Sequence, residues 1–260
     1  MTSHRGMAKL ALKSRALGLA ACLMFGGCLF VGTPPATIPT EYLPAPAGAA
    51  KQLVVLLPGR GDDLRALRRS GMAGTIQQRL PDADVALVEL TLAYYMEGHS
   101  MQRLHDQVIA PALRRYRRVY LAGASMGGMG VLMYERTYPD ELTGLILMAP
   151  YMGSASLVEE INAAGGLVRW EPGPEPTALN RNNVGREEWR VVQSWLADGR
   201  RTRNVWLVCG QGDRLHAMAQ MIAPALPPGH YFEPEGGHAW VVWKQGAQEV
   251  FDRIAAAPTD

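Results

Sequence analysis

The sequence predicts an α/β protein whose mostly parallel sheet is covered by helices on both faces. Two observations predict it. From Lys51 onward, short apolar runs alternate with stretches of helical period. Those runs are nearly continuous rather than alternating apolar and polar, as strands buried on both faces require.

The elements follow in order. Residues 53–57 (LVVLL) form the first buried strand, ended by Pro58-Gly59. Residues 62–80 read as one helix, with Leu64, Leu67, Met72, Ile76 and Leu80 near one face. Residues 84–90 (DVALVEL) are the next strand. Residues 101–116 are helical, with Pro111 expected to kink or restart the helix. Residues 119–122 (VYLA) form a strand that feeds GASMGG, and residues 127–138 form a helix stopped by Pro139. Strands at 142–149 and 204–209 flank a long insertion. Its later part, 186–196, supplies the crossover helix that two parallel strands need, with Trp189, Val192 and Leu196 at helical spacing. Its earlier part, 151–185, is a small cap with a short helix at 157–163 and the rigid run EPGPEP. A helix at 215–226, a short strand at 230–233 and a closing helix at 239–256 complete the domain, which spans 51–256 with a tail at 257–260. Trp243, Ala247, Val250, Phe251 and Ile254 line one face of the closing helix.

The N-terminal 50 residues have another character. Residues 1–27 carry Arg5, Lys9, Lys13 and Arg15, no acid, and then a long apolar run. This is the pattern of an export signal, short for a spanning helix, which needs about 20 apolar residues. LAAC ends at Cys22 and FGGC at Cys28, and both resemble the lipobox of bacterial lipoproteins. Cys28 leaves the longer apolar stretch after Arg15 and is taken as the lipidated residue, with Cys22 as the alternative. An uncleaved membrane anchor and a signal cut elsewhere are the other readings. The expectation is an exported domain, lipid-anchored to a bacterial membrane and facing the periplasm or exterior. Residues 28–50 are proline-rich without apolar period and read as a linker.

Charge excludes one class of partner. The formal net charge is +2. Four of the 26 basic residues lie in the signal, so the remainder is slightly acidic and gives no reason to expect nucleic acid. The arginine clusters read as solvated helix faces. Of three cysteines, only Cys209 lies in the body, where it reads as a packed core thiol.

Ligands of parallel sheets bind beyond the carboxyl ends of the strands, so the residues just after each strand carry the information. After the 119–122 strand comes Gly123-Ala124-Ser125-Met126-Gly127. A serine on a sharp strand-to-helix turn needs glycine two residues either side, where a side chain would meet backbone. The helix behind it favours developing negative charge. Ser125 is therefore the candidate nucleophile. After the first strand comes Pro58-Gly59-Arg60-Gly61-Asp62-Asp63, expected to bring a backbone N–H to an oxyanion alongside that of Met126. Arg60 is assigned that role, with Gly61 as alternative, and Asp62 is placed to cap the next helix. After the 204–209 strand comes GQGD, whose Asp213 is placed to orient a histidine. After the 230–233 strand comes Pro234-Glu235-Gly236-Gly237-His238, and His238 is the candidate general base.

The order Ser125, Asp213, His238 is that of the α/β-hydrolases. PGRGDD, GASMGG, GQGD and GGHAW together resemble serine hydrolases of that superfamily, over roughly residues 51–256. Many relatives have histidine where Pro58 stands, which leaves the second oxyanion donor open between Arg60 and Gly61. The resemblance implies an esterase, lipase or thioesterase that acts on a small acyl ester without a cofactor. The same triad also serves acyltransferases and perhydrolases. A lipid-anchored binding protein could keep the fold without the chemistry, although the intact triad positions argue against it. Tyr94, Tyr151, Met152 and Trp170 are candidate pocket residues, and His99 lies in a segment read mainly as loop. No metal-ligand spacing, P-loop or dinucleotide fingerprint is present in the sequence.

Overall fold

A computed structural model describes residues 32–257. Seven strands form one sheet in the order β1-β3-β2-β4-β5-β6-β7. They are β1 (Thr40–Leu43), β2 (Gln52–Leu57), β3 (Ala83–Val88), β4 (Arg118–Ala124), β5 (Gly144–Met148), β6 (Val205–Val208) and β7 (Tyr231–Phe232). Only β1 is antiparallel to its neighbour, β3. Residues of β2, β3, β5 and β6 are buried throughout, which is why these strands read as continuous apolar runs.

Helices cover both faces. One side carries α1 (Leu64–Ser70), α2 (Met72–Arg79) and the closing helix α10 (Trp240–Ala256). The other carries α6 (Met126–Thr137), packed on β4 and β5, and α8 (Val184–Ala197), packed on α6. Between β3 and β4 lie α3 (Leu92–Glu97), α4 (Ser100–Leu104) and α5 (Ala110–Arg115). In the insertion after β5 lies α7 (Ala155–Ala163), and α9 (His216–Ile222) follows β6.

Three expectations are corrected here, and the one at Pro111 holds. Part of the expected linker belongs to the sheet: β1 pairs with β3, Ile38 is buried, and its amide donates to the Gln107 side chain. Pro39 and Pro44 flank this strand at the sheet edge, where a missing N–H breaks no ladder. The helix expected over 62–80 is two helices, broken at Gly71 with φ 70°. Its cap is Asp63, whose side chain accepts from the Ala66 amide at 2.7 Å, not Asp62. The kink at Pro111 takes the form of a five-residue π turn, His105–Ile109, just before the proline. That turn shifts the hydrogen-bond register ahead of a residue that cannot donate. The expected signal at residues 1–27 and both candidate lipidation sites, Cys22 and Cys28, lie outside the described residues. Among the described residues no helix is long and apolar enough to cross a membrane.

Candidate active site

Ser125 sits between β4 and α6 with φ 54° and ψ −111°, a region that side chains avoid. The surroundings over-determine this geometry. The Ser125 amide donates to the Met148 carbonyl at 2.8 Å, and its carbonyl accepts from the Met129 and Tyr151 amides at 3.1 and 3.0 Å. The flanking glycines are required by space. A Cβ on Gly123 would lie 2.2 Å from the Gly127 carbonyl oxygen, and one on Gly127 would lie 2.6 Å from that of Leu57.

The structure brings the three residues named from sequence into one hydrogen-bonded line. His238 Nε2 lies 2.9 Å from Ser125 Oγ. His238 Nδ1 lies 2.8 and 2.9 Å from the two Asp213 carboxylate oxygens. A carboxylate can only accept, so the imidazole carries its proton on Nδ1 and leaves Nε2 free to take one. The loops that hold the pair are joined by backbone bonds: Gln211 donates to Pro234 and Gly212 to Gly236. Burial alone would raise the Asp213 carboxyl. The hydrogen bonds from His238, from the Leu215 amide at 2.8 Å and from the Trp243 indole outweigh it and hold the group below the usual carboxylate range. Asp213 is thus an anion across the neutral range, placed to stabilise an imidazolium.

Three contributors were missed. Trp243, read only as a core residue of the closing helix, meets the His238 ring edge-on at 4.8 Å between centroids and donates to Asp213. Its position five residues after His238, one helical turn into α10, is the signal that pointed there. Trp240 packs edge-on against Trp243 and donates its indole N–H to Asp62 at 2.9 Å, which is what Asp62 does instead of capping. Arg214, the last residue of GQGDR, places Nη2 3.2 Å from His238 Nε2.

Met126 is the first residue of α6, so its amide has no intrahelical acceptor. The 58–61 turn lies against the elbow: a Cβ on Gly59 would lie 3.7 Å from the Ala124 carbonyl, and one on Gly127 2.7 Å from that of Pro58. Arg60 and Gly61 thus lie in a loop packed on the serine turn.

Beside the elbow lies a cavity of about 520 Å³, lined by Tyr95, Met96, Met129, Met133, Tyr151 and Leu179 among others. Met129 is one helical turn from Ser125, and Tyr151 bonds to its carbonyl. The cavity thus runs along α6 beside the 176–184 segment and adjoins the elbow through Met129 and Tyr151, while Ser125, Met126 and His238 are not among its lining residues. Tyr151 lines it as expected, and so does His99. Tyr94 does not. It is buried, its hydroxyl donates to the Pro35 and Thr37 carbonyls, and Tyr95 takes the cavity face. Met152 is fully buried and accepts the Trp189 indole N–H on its carbonyl. Trp170 is core to the cap, bonded to Glu160, which also takes both ends of the Arg186 guanidinium. Behind the cavity the Tyr95 hydroxyl and both Glu188 carboxyl oxygens are buried without protein partners. Burial pushes the Glu188 carboxyl well above the usual range and so favours its neutral form.

The family model for esterases matches residues 101–249. No curated protein matches the sequence. Among solved structures, MPT51 of Mycobacterium tuberculosis is similar at 15 % identity, over 86 % of this chain and 96 % of that one, with a TM-score of 0.61. The fluorophosphonate-binding serine hydrolase F of Staphylococcus aureus gives 13 % identity, 84 % and 99 % coverage and a TM-score of 0.57. The S-formylglutathione hydrolase of Staphylococcus aureus gives 16 %, 80 % and 84 %, and 0.56. At these identities the likeness is one of fold, the α/β-hydrolase fold.

Proposed function

The chain belongs to the Esterase family, and from that premise we propose that it is a serine hydrolase that cleaves acyl esters through an acyl-enzyme on Ser125. The observation that carries the reading is the continuous line Oγ–Nε2, Nδ1–carboxylate at 2.8 to 2.9 Å. Nε2 takes the Ser125 proton as Oγ bonds to the carbonyl carbon, and the carbonyl electron pair moves to its oxygen. That oxyanion faces the Met126 amide and one from the 60–61 turn, Arg60 first and Gly61 as alternative. Collapse breaks the ester C–O bond, and the leaving oxygen takes the proton from Nε2. His238 then deprotonates water as it attacks the acyl carbonyl, and Nε2 passes the proton to Ser125 Oγ as that bond breaks, which releases the carboxylic acid. Asp213 holds the ring and balances its charge without taking the proton.

The cavity beside the elbow supports an apolar acyl group of moderate size, since methionines adapt to irregular chains. Esters of one alcohol with graded acyl length test this on the purified full chain. The expected result is turnover that peaks at intermediate length and vanishes in Ser125→Ala. A flat response would remove the cavity from the account.

The basic-then-apolar N-terminus supports export and lipid anchoring through Cys28, with Cys22 as the alternative. Labelling of cells with a clickable fatty acid is expected to mark the wild type and not Cys28→Ser. A label that survives Cys28→Ser and is lost in Cys22→Ser would move the site. A label that survives both would overturn it.

A further inference from the structure

We infer that Arg214 is a specificity residue for the leaving group and that the preferred esters carry an anionic oxygen group, carboxylate or phosphate, on the alcohol part close to the ester bond. This rests on the proposed hydrolase reading and deepens it. The single lone pair of His238 Nε2 faces two donors at once, Ser125 Oγ at 2.9 Å and Arg214 Nη2 at 3.2 Å. A guanidinium has N–H donors only and keeps its charge at any working pH. In the resting site it therefore competes with the serine for the base.

The contact cannot last through the reaction. Once Nε2 has taken the serine proton it has no lone pair, and the ring is a cation facing another cation at hydrogen-bond distance. Arg214 is exposed, so it must then turn to solvent or to another acceptor. Among the described residues no carboxylate is in ion-pair contact with it, unlike Arg136, Arg186 or Arg201, which hold glutamates at 2.7 to 2.9 Å. The one charged neighbour of His238 on its other side, Asp213, is turned to Nδ1 and saturated there by His238, Leu215 and Trp243.

Substrate can supply the acceptor, and geometry says which part. Nε2 delivers its proton to the leaving oxygen, so the alcohol part lies against Nε2 and hence against Arg214. The oxyanion and acyl group point instead to the Met126 amide and the cavity. An anionic group two to four bonds from the ester oxygen would draw the guanidinium off Nε2 and receive a charge-assisted hydrogen bond, freeing the base as it binds.

The test uses the full chain and acid release in a pH-stat. Butanoyl esters of glycolate and of 2-hydroxyethyl phosphate are compared with the neutral butanoyl ester of glycolamide. Ethyl hydrogen succinate against ethyl butanoate places the anion on the acyl side instead. Wild type is expected to favour one or both alcohol-side anions over glycolamide by about 10-fold or more in kcat/KM, the size of one charge-assisted contact. The two anions distinguish carboxylate from phosphate. Arg214→Gln is expected to bring that ratio within about 2-fold, and Arg214→Lys to keep part of it. A ratio unchanged in Arg214→Gln, no anion preference in wild type, or a preference on the acyl side alone overturns the assignment and leaves ester hydrolysis standing. Loss by one common factor on every ester shows that Arg214 only positions His238, and also overturns it. Wild type that cleaves none of these esters overturns the hydrolase reading and the assignment with it.

Discussion

The loops that hold Ser125, Asp213 and His238 and the 176–184 segment beside the cavity are fixed by different physics. In the first, every polar atom of the three side chains has a partner, and glycines let backbone meet backbone where a Cβ would lie 2.2 Å from an oxygen. The second encloses about 520 Å³ of space, is walled by methionines, and leaves Tyr95 and Glu188 buried without protein partners. Saturated hydrogen bonding at the strand ends fixes atoms to within the reach of a proton transfer. Loose apolar packing beside it fixes only a volume. The reaction should therefore be intolerant of small changes and the choice of acyl group tolerant of them.

The largest expected effect breaks the saturated side. Asp213→Asn keeps the shape but offers Nδ1 an amide, so the ring can turn its proton toward Ser125. Turnover is expected to fall by about 10⁴-fold, with melting temperature little changed. A loss of under about tenfold in the steady-state assay would mean that the carboxylate is not part of the working line.

Met133→Trp acts on the open side. The indole enters the cavity from α6 and shortens it. The kcat/KM of long acyl esters is expected to drop about 10- to 100-fold while acetyl esters change little. An equal drop on both would show that the acyl group lies elsewhere.

Legibility followed the same divide. The three triad residues could be read from sequence because each follows an apolar strand within a glycine turn, and such local rules specify backbone directly. Tyr94 and Tyr95 could not be sorted. Helix α3 has six residues, too few for a period to say which ring faces inward, and contacts with Pro35 and Thr37, nearly 60 residues away, decide it. Met152 was misplaced for a like reason, since its burial depends on Trp189 in a distant helix. The edge strand β1 was hidden by its own prolines. The break at Gly71 was legible as a glycine but not as a left-handed cap, because apolar residues continue in period across it.

Glu188→Gln gives the smallest effect and probes the unpartnered side. Burial raises the Glu188 carboxyl in the fold above its unfolded value, so it lowers stability progressively as pH rises above the ordinary carboxylate range. The variant lacks this dependence. Relative to wild type, its melting temperature is expected to be nearly equal at about pH 4 and higher at about pH 8. A difference that does not change with pH would show that Glu188 is ionised in the folded protein.

The proposed activation of Ser125 as a nucleophile by His238 is open to a direct chemical test. Covalent labelling of the full chain with a fluorophosphonate probe, located by peptide mass spectrometry, tests it most directly. One adduct is expected, on Ser125, absent in Ser125→Ala and formed far more slowly in His238→Ala. A wild type that takes no label, or a Ser125→Ala variant labelled as fast as wild type, would contradict it.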